Sequence, residues 1–108
     1  MLSRREYINR IKAHTETIVE DFGVRSLCLF GSVARNELNE SSDIDIFVDM
    51  EPDFLKIVGL KQYLESLLGH NVDIIRKHSN NDELLIQQIE KDGIYIIGEK
   101  AFRYGVDI

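Results

Sequence analysis

Asp43 and Asp45 stand two residues apart in the run Asp43-Ile-Asp-Ile-Phe-Val-Asp49, where acids alternate with apolar residues. In extended backbone, residues two apart share a face with their Cα atoms about 6.6 Å apart, so both carboxylates can turn toward an ion between them. Like charges at that range either raise a pKa or draw in a cation, and hard divalent ions such as Mg²⁺ take oxygen ligands of this kind. The same alternation also suits the solvated outer face of an antiparallel strand, so the pair alone leaves two readings open. Gly31-Ser32 lies ahead of it, read as a turn between a strand and a following helix, where backbone N–H groups and a hydroxyl face an anion. Alone, a Gly-Ser pair is also ordinary loop punctuation. Together the two features point to a phosphate site beside a metal site.

Other phosphate and metal motifs fail on the same residues. A P-loop would need Gly and Lys where Asn36 and Glu37 stand, and a dinucleotide fingerprint would need Gly where Val33 stands. An EF-hand counted from Asp43 would need Gly and Glu where Val48 and Phe54 stand. His14, His70 and His78 show no zinc spacing with one another or with Cys28, and read as surface or turn histidines.

Short elements must position these groups. Ser3-Arg-Arg-Glu6 reads as a capping box, and Ile8, Ile11, Ile18, Val19 and Phe22 recur at helical spacing, predicting one helix that stops at Gly23. Arg25 to Phe30 reads as a short strand running into Gly31-Ser32, and Asn36 to Ser42 as a polar loop. In Asp43 to Asp49, Ile44, Ile46 and Val48 point one way and Asp43, Asp45 and Asp49 the other, predicting a half-buried strand with an acidic face. Pro52-Asp53 opens an amphipathic helix with Leu55, Val58, Leu60, Tyr63, Leu64, Leu67 and Leu68 on its apolar stripe, closed by Gly69. Asn71 to Ile75 reads as another strand. Asp82 to Asp92 reads as a helix carrying Leu84, Leu85 and Ile89, and Ile94 to Ile97 is β-rich and too short for a helix. Alternating helices and short strands without internal repeats predict an α/β or α+β layered domain.

With 108 residues, the chain is expected to form a single domain over 1–108, without a separate substrate module. A composition of 44% apolar and 30% charged residues with 1 Pro excludes a disordered or fibrous chain. The net charge of −6 disfavours direct nucleic-acid binding and anionic membranes. That charge is local, since Asn36 to Leu55 holds Glu37, Glu40, Asp43, Asp45, Asp49, Glu51 and Asp53 without a Lys or Arg. The single cysteine, Cys28, cannot close an intramolecular disulfide, and neither a membrane-spanning stretch nor a signal-like block is visible. The expected location is the cytoplasm.

The string Gly31-Ser-Val-Ala-Arg-Asn-Glu37, followed by Ser42-Asp-Ile-Asp-Ile-Phe-Val48, resembles the signature of the nucleotidyltransferase superfamily that includes DNA polymerase beta. The short length and the Ala-Arg-x-Glu continuation resemble its minimal nucleotidyltransferases, the MNT antitoxins of HEPN-domain ribonuclease toxins, over nearly the whole chain. The resemblance implies a small mixed β-sheet packed against helices and a third carboxylate on a later strand, matched by Asp73 in Asn71-Val-Asp-Ile-Ile75. It further implies that Gly31 and Ser32 hold the triphosphate of ATP, that Asp43 and Asp45 ligate two Mg²⁺ ions, and that Asp73 activates the attacking hydroxyl as part of the same carboxylate set. Arg35 can reach a phosphate or pair with Glu37, and the pairing is the favoured expectation. Many family members carry Gly where Asn36 stands, and Asn tolerates the left-handed conformation, so the turn is expected to survive.

No acceptor domain fits into this length, so the implied acceptor is another protein: a HEPN toxin bound in a hetero-oligomer and modified on a tyrosine by AMP transfer. Two rivals stand beside this reading. One is a non-catalytic antitoxin that occludes the toxin, through Phe102 and Tyr104 of the tail. The other is nucleotidyl transfer to a small molecule such as an aminoglycoside, which the missing acceptor domain disfavours.

Overall fold

The acid-bearing run forms an inner strand of a four-stranded mixed sheet. The computed structural model describes residues 1–98; the tail with Phe102 and Tyr104 lies outside the described residues. The strands are β1 (Ser26–Phe30), β2 (Ile44–Asp49), β3 (Val72–Arg76) and β4 (Ile94–Ile97), in the order β3-β2-β1-β4. β1 runs antiparallel to β2 and β4, and β2 runs parallel to β3. Period-two alternation sends Leu27, Leu29, Ile44, Ile46, Val48 and Val72 to one face, where they form the main core with the helices α1 (Arg4–Ala13), α2 (Thr15–Phe22) and α3 (Phe54–Leu68). The architecture is the expected small α+β domain.

The other face departs from the expected open acidic surface. Phe47, between Asp45 and Asp49 on that face, is only 2% exposed. It packs with Cys28, Phe30 and Ile89 under α4 (Glu83–Asp92), whose Leu85 and Ile86 join the cluster. β3 also differs from the buried strand its isoleucines suggest: it is an edge strand with Ile74 and Ile75 half-buried, because among the described residues no strand pairs beyond it.

The expected single N-terminal helix is two. The capping box forms, Ser3 and Glu6 exchanging side-chain and backbone bonds. At His14, however, the backbone N–H bonds to the Ile11 carbonyl at 3.0 Å, one residue short of the α-helical partner, and the Thr15 hydroxyl donates to the Lys12 carbonyl at 2.8 Å. Side-chain competition for these carbonyls breaks the helix at this point. α3 is capped by Asp53, which accepts from the Lys56 N–H, and ends at Gly69, as the sequence suggests. Leu55, expected on its buried stripe, is 80% exposed. It lies nine residues before Leu64, about 180° around the helix from the stripe of Leu60, Leu64 and Leu68. Leu84 is likewise 69% exposed, five residues before the buried Ile89 and so rotated about 140° from it. Among the described residues no helix is long and apolar enough to cross a membrane.

Candidate functional site

Asp45 sits where three strands meet. It lies opposite Phe30, the last residue of β1, and opposite Asp73 in the parallel ladder with β3. Directly opposed residues share a face, and Asp43 lies two residues back along the same alternation, so all three expected acids reach one face at one end of the sheet. The Ile44 N–H holds this end by donating to the Asn71 carbonyl at 2.9 Å. The parallel pairing of β2 and β3 therefore brings Asp73 to the other two acids.

Among the described residues, no ion pair neutralises the charge of this cluster. Further along β2, Arg25 pairs with Asp49 at 2.9 Å and with Glu51 at 3.2 Å, and Arg35 pairs with Glu37 at 2.7 Å, as expected. Among the described residues, Asp43, Asp45 and Asp73 make no hydrogen bond or ion pair through their side chains. Asp45 is half-buried, and its carboxyl is pushed up to about 6, first by burial, then by the Asp73 charge, then by that of Asp43, against a small opposing pull from Arg35. No three His, Cys, Asp or Glu side chains among the described residues close around a single point. The set is an open face of hard oxygen donors, which fits Mg²⁺, an ion that completes its shell with water and phosphate oxygens.

Gly31 sets the wall of this site. Its φ is +72°, and a Cβ placed there would run into the Asp45 carboxylate, 3.2 Å from its Cγ. Only glycine lets the chain leave β1 in a left-handed conformation with a carboxylate packed against it. The helix expected after Gly31-Ser32 is absent: residues 31–36 form consecutive turns. Arg35 N–H donates to the Gly31 carbonyl at 3.2 Å, Asn36 N–H to Val33 at 3.1 Å, and Glu37 N–H to Ser32 at 2.7 Å. Asn36 ends the run at φ +61°, the left-handed conformation expected of it in place of glycine, and this stops propagation into a helix. The N–H groups of Ser32, Val33 and Ala34 have no acceptor among the described residues, which leaves three successive donors in a tight turn, an arrangement suited to an anion.

Three bracing residues escape sequence reasoning. Arg4 reaches from α1 to the Ala34 carbonyl at 2.7 Å and ties down the turn. His70 contacts the Ser42 carbonyl through Nε2 at 2.6 Å, just ahead of Asp43, with Tyr7 edge-on to its ring. Glu65 of α3 accepts from the Val72 N–H at 3.0 Å, just ahead of Asp73. Two of these links join residues 30 and 28 positions apart, so no local pattern could have signalled them.

Residues 12–101 match the family described as Polymerase beta, Nucleotidyltransferase. Protein adenylyltransferase MntA of Thermococcus cleftensis is 46% identical over 81 residues, covering 73% of this chain and 82% of that protein. A solved toxin-antitoxin structure with AMP-PNP superposes with a TM-score of 0.66 at 26% identity, over 83% of this chain and 75% of the other. A chain from the complex of a tri-AMPylated Shewanella oneidensis HEPN toxin with MNT antitoxin gives 0.62 at 25% identity, over 93% and 76%.

Proposed function

This chain belongs to the polymerase beta nucleotidyltransferase family, and from that membership we propose that it is an antitoxin that transfers AMP from ATP to a tyrosine of a HEPN-domain toxin. The observation that carries the reading is a set of three carboxylates on one face that have no ion pair among the described residues, with Asp45 against Gly31 of a turn whose Ser32, Val33 and Ala34 N–H groups have no acceptor among those residues. The relatives supply the chemistry: one is named a protein adenylyltransferase, and one solved complex holds an AMPylated toxin.

In this reading the Ser32 hydroxyl and the N–H groups of Ser32, Val33 and Ala34 hold the triphosphate, with Gly31 giving it room. Asp43 and Asp45 would hold two Mg²⁺ ions, with Asp73 completing the set; when bound, these supply charge neutralisation at the phosphates and a lower pKa for the attacking hydroxyl. Asp73 takes the proton of the tyrosine hydroxyl. The tyrosine oxygen forms its bond to the α-phosphorus as the bond to the bridging oxygen breaks, and pyrophosphate leaves. The protein's share is positioning and neutralisation.

Incubation of the protein and its partner toxin with ATP labelled at the α-phosphate tests this. Label should appear on the toxin and vanish with Asp43→Asn or Asp73→Asn. Labelling at the wild-type rate in either variant overturns the assignment, and protection of cells by Asp43→Asn would favour occlusion of the toxin instead.

A further inference from the structure

We infer that the acceptor protein docks as an extended segment added to the outer edge of β3, with its hydroxyl-bearing residue opposite Asp73. The chemistry of this inference rests on the transfer reaction proposed above; the docking rests on backbone geometry alone.

In the parallel ladder Ile44 lies opposite Val72, Ile46 opposite Ile74 and Val48 opposite Arg76. Ile44 N–H donates to Asn71 and Lys77 N–H donates to Val48, at 2.9 and 2.7 Å. In this pattern the inward bonds of β3 belong to residues 71, 73, 75 and 77, so the backbone groups of Val72, Ile74 and Arg76 point away from the sheet. The two ends of that outward row are closed. Glu65 accepts from the Val72 N–H at 3.0 Å, and the Asn81 side-chain amide donates to the Arg76 carbonyl at 3.2 Å. Between these caps the Val72 carbonyl, both backbone groups of Ile74 and the Arg76 N–H have no partner among the described residues.

An edge opened over about three residues is a template for a short strand and too brief for sheet-to-sheet aggregation. Its occupant follows from its continuity with the acids. In an antiparallel addition the residue paired with Ile74 exchanges both backbone bonds with it, and the next residue of the incoming segment stands opposite Asp73 in a non-hydrogen-bonded pair. Side chains lean together in such pairs, so this residue projects onto the face of Asp73 and Asp45. A tyrosine there spans the spacing of about 4.8 Å between strands and brings its hydroxyl toward Asp45, whereas a serine stops at Asp73. The opposite edge, β4, lies two strands from Asp45 and offers no such placement.

The test compares AMP transfer from Mg²⁺-ATP to the acetylated and amidated pentapeptide Thr-Val-Tyr-Val-Thr and to N-acetyl-tyrosinamide. The pentapeptide should react with at least tenfold higher kcat/KM. N-methylation of the valine before the tyrosine, which removes the donor facing Ile74, should abolish that preference, while N-methylation of the tyrosine itself, whose N–H faces away, should spare it. In Ile74→Pro, which lacks the outward donor and keeps every bond to β2, the ratio of the two rates should fall toward one. Equal effects of the two methylations, or a ratio retained in Ile74→Pro, overturn the docking; if that variant does not fold, the methylated peptides on the unaltered protein decide. If neither substrate is labelled, labelling of the toxin judges the transfer reading, and amide exchange judges the edge alone: exchange at Ile74 slowed at least tenfold by millimolar pentapeptide sustains the docking, and unchanged exchange refutes it.

Discussion

The Asp45 carboxylate occupies the space that a side chain on Gly31 would need. Gly31→Ala therefore combines a left-handed φ with displacement of an acid of the site. The expected loss of stability is about 2 kcal/mol, with AMP transfer falling at least a hundredfold. Gly23 is also left-handed, at φ +70°, but has open space around it. Gly23→Ala should lose about 1 kcal/mol and retain transfer. Urea unfolding and labelling of both variants separate the two effects.

Burial and like charge raise the Asp45 carboxyl from 3.8 to about 6. The folded protein thus binds this proton more tightly than the unfolded chain, so the group's contribution to stability falls as pH rises from about 4 to about 6 and stays lowered above that. Asp45→Asn should leave metal-free stability unchanged near pH 4 and raise it at pH 8 by about 1 kcal/mol, a figure reduced for the solvent access of this side chain. Mg²⁺ should stabilise the unaltered protein at pH 8 and lose that effect below pH 5. Thermal melts across pH, with and without Mg²⁺, check both.

Arg35 pairs with Glu37 on the surface and is also the cation that pulls the Asp45 carboxyl down. Arg35→Ala should leave the melting temperature nearly unchanged. The midpoint of the Mg²⁺ effect should move to higher pH, because the Asp45 proton is then held more tightly. A midpoint that stays in place would separate Arg35 from the electrostatics of the site.

His70 holds the carbonyl that precedes Asp43. His70→Ala should cost about 1 kcal/mol and weaken Mg²⁺ stabilisation several-fold, while His70→Gln, which keeps a polar group in reach, should recover most of both. Melting curves over a Mg²⁺ titration report the two quantities together.

What the sequence reveals about this fold is what short-range chemistry encodes. The Ser3–Glu6 capping box, the Asp53 cap of α3 and the left-handed Asn36 each depend on residues a few positions apart, and each is found as read, while the alternation of β2 holds except at Phe47, which a second cluster under α4 buries. The break at His14 escapes because His14 and Thr15 win a local competition that apolar spacing does not register. Leu55 and Leu84 carry the right residue type at the wrong angle, which shows only once a stripe has chosen its partner. The site divides in the same way. Gly31, Asp43 and Asp45 are visible as a local string, whereas Asp73 reaches them only through the parallel pairing of β2 with β3, which family resemblance supplied and spacing did not.

The six residues of β2 hold two independent texts, one read on each face of the sheet. Ile44, Ile46 and Val48 anchor the interior, while Asp45, with Asp43 just ahead of the strand, carries the proposed chemistry on the face that Phe47 shares. Mutations at alternate letters therefore fall under separate selection, and a lineage that abandons the chemistry keeps a foldable scaffold able to persist as an inert decoy of the enzyme. Gain or loss of a single letter within the strand scrambles both texts at once, so changes in length are tolerated only in the connections outside it.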